Sequence, residues 1–159
     1  MEIGESSSPE YSISWSMLFA IYILSGKTSV LIGHSGVGKS TLLLTVAAKS
    51  AKSKITSLYI SGEESASQVR LRAERLKAID PNLWLAAETE LSAVIGHIDQ
   101  VQPELLIIDS IQTIVSTSVD GSPGGVTQVR EIAAALIRIA KERNITVILV
   151  GHVTKDGSI

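Results

Sequence analysis

From Trp15 onward, short apolar runs alternate with segments of helical spacing, and that alternation predicts a layered α/β fold. Residues 29–32 form an apolar run that ends in a glycine-rich turn, and residues 41–51 (TLLLTVAAKSA) read as a helix apolar on most of its circumference. Residues 56–60 predict a second strand. Ser65 and Gln68 then stand at capping-box spacing and open a helix to about Ala78. Beyond the Asp80-Pro81-Asn82 turn, residues 83–86 are a short strand candidate. Thr89 is placed to cap a helix closed by Gln102-Pro103, because the residue before proline avoids the helical region. Residues 105–109 (LLIID) are apolar with an acid at the end. After a Gly/Ser/Pro loop at 116–125, Val129, Ile132, Ala133, Leu136 and Ala140 keep helical spacing up to Asn144, and residues 145–150 (ITVILV) are the most strand-like run.

Continuously apolar strands separated by helices predict a mostly parallel sheet covered on both faces. Residues 1–14 are polar and Ser-rich and read as a flexible tail, leaving 15–159 as a single α/β domain. Composition narrows the chemistry. The absence of cysteine excludes disulfides, a thiolate nucleophile and cysteine-ligated zinc. Fourteen basic against sixteen acidic side chains give no global attraction to nucleic acid, so any such contact must be local. The apolar run 17–24 falls far short of the roughly 20 residues that span a bilayer, so no membrane role is expected and a cytoplasmic location is.

Residues 33–40 (GHSGVGKS) match G-x-x-x-x-G-K-[ST], and the match lies where its mechanism needs it, between an apolar strand and a helix. Gly33, His34, Ser35, Gly36, Val37 and Gly38 let successive N–H groups face phosphate oxygens, and Thr41 lies in the first turn of a helix whose positive end adds to the field. Lys39 supplies a mobile cation for the β- and γ-phosphates, and the Ser40 hydroxyl can ligate Mg²⁺. The glycine order does not fit a dinucleotide fingerprint. Asp109, at the tip of LLIID, is the acid such a site needs to hold Mg²⁺ directly or through water. Guanine specificity is disfavoured: in Thr154-Lys155-Asp156 the acid falls one residue early, and Gln112 stands where D-x-x-G would need glycine. Hydrolysis requires a group that activates water; Glu63 and Glu64, at the end of the second strand, are the candidates.

The segments GVGKSTLLL (36–44), YISGEES (59–65), QVRLRAERL (68–76), LLIIDSIQT (105–113) and QVREIAAALIRIAKE through GHVTKDGSI (128–159) together resemble the RecA-like P-loop ATPases, and within them the RadA (Sms) family of bacterial DNA repair proteins. The resemblance covers about residues 28–159. It implies a RecA-like core that stops before its last strands, with ATP and Mg²⁺ as cofactors. It implies Glu63 as the water-activating acid, and His152, just past the fourth core strand, as the sensor of the γ-phosphate. It further implies hexameric rings that use ATP for branch migration on single-stranded or branched DNA, and therefore slow turnover by an isolated piece that lacks a neighbour's cation. Residues 17–27 (MLFAIYILSGK) are apolar where the family usually has a Gly-rich stretch, and its zinc cysteines are absent. Arg70, Arg72, Arg75 and Lys77 read as a solvated helix face. The 116–125 loop, where the family places a DNA-facing loop, has no cation and no aromatic, so it would contact phosphates through backbone N–H. The alternatives are a KaiC-like regulator that does not act on DNA, and a nucleotide-binding scaffold without turnover.

Overall fold

The computed structural model describes residues 28–33, 36 and 38–152; the expected tail at 1–14, the run 17–24, His34, Ser35, Val37 and all residues after His152 lie outside them. Five strands make one sheet: β1 (Thr28–Gly33), β2 (Ser57–Ser61), β3 (Leu83–Ala87), β4 (Leu105–Asp109) and β5 (Thr146–His152). Their order is β1-β5-β4-β2-β3, and all four pairings are parallel. The helices are α1 (Lys39–Lys52), α2 (Ala66–Arg75), α3 (Leu91–Val101) and α4 (Val126–Arg143), with a 3₁₀ turn at Ile111–Thr113.

Alternation along each buried strand divides the core into two layers. Tyr59, Leu105, Ile107, Ile148 and Val150 pack with Leu43, Leu44 and Ala47 of α1 and with Val69 and Ala73 of α2. Their sequence neighbours Leu58, Ile60, Leu106, Ile108, Val147 and Leu149 pack with Val94 and Ile98 of α3 and with Ile132 and Leu136 of α4. Every residue of β2 and β4 is buried. At about 1.5–3 kcal/mol for each buried large aliphatic or aromatic side chain, these two layers dominate the stability.

Some boundaries differ from the sequence reading, for identifiable reasons. The strand expected only weakly at 83–86 pairs along its whole length with β2. It makes β5 the fifth strand, and His152 is its last residue rather than lying beyond a fourth. The helix that opens on the Ser65–Gln68 capping box stops at Arg75, because the Ala78 N–H returns to the Ala73 carbonyl and buries Ala78. Thr89 does not cap α3. Its carbonyl accepts from the Val115 N–H (2.7 Å), and Glu90 is the cap, with Oε2 accepting from the N–H groups of Ser92 and Ala93.

The strand order matters most for function. β5 lies between β1, which feeds the phosphate loop, and β4, which carries Asp109. Two strand spacings of about 4.8 Å separate those two carriers, and the end of β5 fills the gap.

Candidate functional site

The site lies at the carboxyl ends of the strands, where open parallel sheets form their ligand crevice. Gly36 and Gly38 have φ of 82° and 85°, in the left-handed region that glycine enters without steric cost. Gly38 is the N-cap of α1, which has no side-chain cap and no acid in its first turn. Its leading N–H groups therefore have no intrahelical acceptor and no competing carboxylate, which is what an anion site requires. A cavity of about 290 Å³ opens here, lined by Gly36, Gly38, Lys39, Ser40, Thr41, Glu63, Arg72 and His152.

A polar chain crosses this cavity. The Lys39 ammonium lies 3.2 Å from His152 Nδ1, His152 Nε2 lies 2.8 Å from Glu63 Oε1, and the Ser110 hydroxyl donates to the same carboxylate at 2.9 Å. An ammonium can only donate, so Nδ1 is the acceptor of the Lys39 contact. The fold thus brings together four residues that stand far apart in sequence.

The turn after β2 aims the two glutamates apart. Ser61 Oγ accepts from the N–H of Glu63 (3.3 Å) and of Glu64 (3.0 Å), and the Gly62 N–H donates to the Asp109 carbonyl at 2.9 Å. Position 62 must be glycine: a Cβ there would stand 1.9 Å from Thr113 Oγ1. The tight approach carries Glu63 to Ser110, while Glu64 pairs with Arg72. Glu64 does not line the cavity; Arg72 does. This corrects the reading of Arg72 as part of a solvated face. Its side chain is 23% exposed, and Nη1 is buried without a hydrogen-bond partner among the described residues. Arg70, by contrast, is 72% exposed and pairs with Glu74 on the helix surface. The signal was present in the sequence: position 72 is three residues after Val69 and adjoins Ala73, both fully buried, so it borders the inner face of α2.

Asp109 lies behind the cavity rather than in its lining. The Tyr59 hydroxyl donates to Asp109 Oδ2 at 2.5 Å. Burial first, and then the Asp109 charge and this hydrogen bond, push the Tyr59 phenol far above the usual tyrosine range, so it stays a donor. Asp109 Oδ1 is buried and has no hydrogen-bond partner among the described residues. An orphaned carboxylate oxygen is costly unless a cation or a metal-bound water satisfies it, so the donor set fits Mg²⁺, with Asp109 and Ser40 as the residues that would hold it. Tyr59 and Ser110 carried no sequence signal, since their partners come from neighbouring strands.

Comparison with known proteins agrees with the geometry. The AAA domain family matches residues 15–158. DNA repair protein RadA of Mycolicibacterium smegmatis is 50% identical over 141 residues, covering 86% of this chain and 30% of that protein. RadA of Streptococcus pneumoniae is 48% identical over 137 residues, covering 86% of this chain and 32% of that protein. The chain thus spans about a third of the length of the curated relatives it matches. Two solved structures share the fold. A KaiC-like protein, PH0186, of Pyrococcus horikoshii superposes with a TM-score of 0.60 at 20% identity, covering 84% of this chain and 64% of that one. A DnaB-like replicative helicase gives 0.65 at 12% identity, covering 82% and 41%. The sheet is that of a RecA-like P-loop core, and the chain belongs to the AAA domain family, with bacterial DNA repair protein RadA among its relatives.

Proposed function

We propose that this chain is the ATP-binding and ATP-hydrolysing core of a RadA-like DNA repair and recombination protein. The observation that carries the reading is the close succession of Lys39, His152 and Glu63 in a cavity that Gly36, Gly38, Ser40 and Thr41 also line. In this reading the loop amides and Lys39 bind the phosphates. Ser40 and Asp109 would hold Mg²⁺, which would supply positive charge against the phosphate oxygens. Tyr59 fixes the Asp109 carboxylate so that one oxygen stays open to the ion. Glu63 orients and deprotonates the attacking water, and Ser110 keeps its carboxylate in place.

His152 is the γ-phosphate sensor. When a nucleotide takes Lys39, the ring loses that contact and the end of β5 responds. Arg72 adds an in-chain cation at the cavity wall, and its pair with Glu64 leaves Glu63 as the base. Catalysis is then mainly positioning and charge stabilisation, as in phosphoryl transfer generally. A neighbouring subunit's cation in a hexameric ring can add about 10³–10⁵ in rate, so the dilute single chain turns over slowly.

In the intact protein this core acts in the cytoplasm on single-stranded or branched DNA, with ATP driving branch migration, and the 116–125 loop faces the DNA. Gln128 stiffens that loop: its amide accepts from the Ser116 N–H (3.0 Å) and donates to the carbonyls of Ser116 (3.1 Å) and Val119 (2.5 Å). No helix among the described residues is long and apolar enough to cross a membrane.

The decisive experiment is titration with Mg-ATP followed by turnover with and without single-stranded DNA, for the unaltered chain and for Glu63→Gln. The variant should bind within about threefold of the parent and lose 10²-fold or more in turnover, the scale set by a missing general base. Unchanged turnover would move the role to Glu64 or remove the hydrolase reading; failure of folded protein to take up Mg-ATP would remove the whole proposal.

A further inference from the structure

The Gln112 side chain makes two hydrogen bonds to a single residue. Its Oε1 accepts from the His152 N–H at 2.7 Å and its Nε2 donates to the His152 carbonyl at 2.7 Å. The register explains why they form. Paired positions of β4 and β5 run only as far as Ile108 and Leu149, whereas β5 continues to His152 beside Gly33 of β1. Past Ile108 the chain of β4 runs through Ser110 into the 3₁₀ turn, so the side of β5 that faces β4 has no paired strand position beyond Leu149. A carboxamide presents the same donor and acceptor as a peptide group, and Gln112 supplies both where the ladder ends.

We propose that Gln112 is a positioning residue that completes the β5 ladder and thereby holds the His152 ring between Lys39 and Glu63, linking that ring to the 116–125 loop. The link has a second half in the main chain. A Cβ added to Gly124, which has φ of 74°, would stand only 3.2 Å from the Gln112 carbonyl oxygen, so the return of the loop rests on the same residue. A shift of the His152 backbone therefore moves the Gln112 side chain, and the Gln112 backbone abuts Gly124. This proposal rests on the hydrolase reading for its kinetic test, and it has a physical test that does not.

The test uses Gln112→Met, which keeps length without either hydrogen bond, and Gln112→Glu, which keeps an acceptor for the His152 N–H but loses the donor at neutral pH. In the folded full chain, amide exchange at His152 should accelerate tenfold or more in Gln112→Met and less in Gln112→Glu. Turnover should fall 10–100-fold in Gln112→Met, with Mg-ATP affinity held within about threefold, since misplacing a group by about 1 Å costs up to 10²-fold. In a His152→Ala background, Gln112→Met should cost nothing further. Unchanged exchange at His152 would overturn the proposal even if the protein proved not to hydrolyse ATP. A turnover loss that adds fully to that of His152→Ala would overturn it while leaving the hydrolase reading intact. Should Gln112→Met fail to fold, the same two measurements on Gln112→Glu decide.

Discussion

The two ends of the sheet offer contrasting cavities. At the amino ends of β4 and β5, a cavity of about 500 Å³ is lined by Ile98, Asp99, Gln102, Pro103, Arg143 and Ile145. At the carboxyl ends the space is smaller, about 290 Å³, but Lys39, Arg72 and His152 converge on it from three different elements and Glu63 from the turn after β2. In the larger cavity the charges already satisfy each other, since Arg143 pairs with Asp99 on the surface of two helix ends. In and behind the smaller one, buried polar atoms, Arg72 Nη1 and Asp109 Oδ1, have no hydrogen-bond partner among the described residues. Volume is therefore the poorer guide. What marks a site is polar chemistry that the fold brings together and leaves incomplete.

The largest expected effect in a test of that contrast is Lys39→Ala. Lys39 is 8% exposed and its ammonium lies against His152, so its loss removes the main charge offered to phosphate from inside the cavity. Turnover should fall about 10³-fold, the upper range for removing a preorganised electrostatic group, and Mg-ATP uptake measured by calorimetry should fall with it. Circular dichroism and melting should stay near those of the parent, because the two aliphatic layers lie elsewhere. A variant that still binds Mg-ATP as the parent does would sink the phosphate-loop reading.

How much of this was legible beforehand follows from the kind of signal each feature leaves. The expected phosphate loop is contiguous and its residue types are dictated by backbone curvature and charge, so the sequence alone could single out Gly36, Gly38, Lys39 and Ser40, which the fold places along one cavity. LLIID announced both a buried strand and its terminal acid. The strand order left no local trace, because parallel neighbours are joined by pairings tens of residues apart. That Leu105–Asp109 pairs with Thr146–His152, and not with the phosphate-loop strand, could not be read from periodicity. Arg72 was missed because charge count was weighed above helical position, and Tyr59 because a tyrosine in a strand usually reads as packing. Both errors concern partners supplied by another element.

Arg72 gives the intermediate test. Arg72→Ala should lower turnover about 10²-fold, within the range for one preorganised donor, and weaken Mg-ATP binding less. Arg70→Ala is the control, since Arg70 is 72% exposed and, among the described residues, pairs along its own helix with Glu74. It should leave both quantities within twofold. Equal effects of the two substitutions would return Arg72 to the solvated face and leave the cavity with a single cation.

The smallest effect should come from Asp99→Ala at the opposite end. Asp99 and Arg143 are 56% and 40% exposed, so their attraction is screened and is offset by the entropy of holding two side chains together. Such pairs contribute about 0.2–1 kcal/mol, which in a domain of this size lowers the melting temperature by at most about 4 °C. Because the Debye length shrinks to about 3 Å at 1 M salt, the difference should fade when the melts are repeated there. Turnover and Mg-ATP affinity should match the parent throughout. A change in either would mean that the amino-end cavity communicates with the nucleotide, through α3 and α4 or through β5, and the division of labour between the two ends of the sheet would fail.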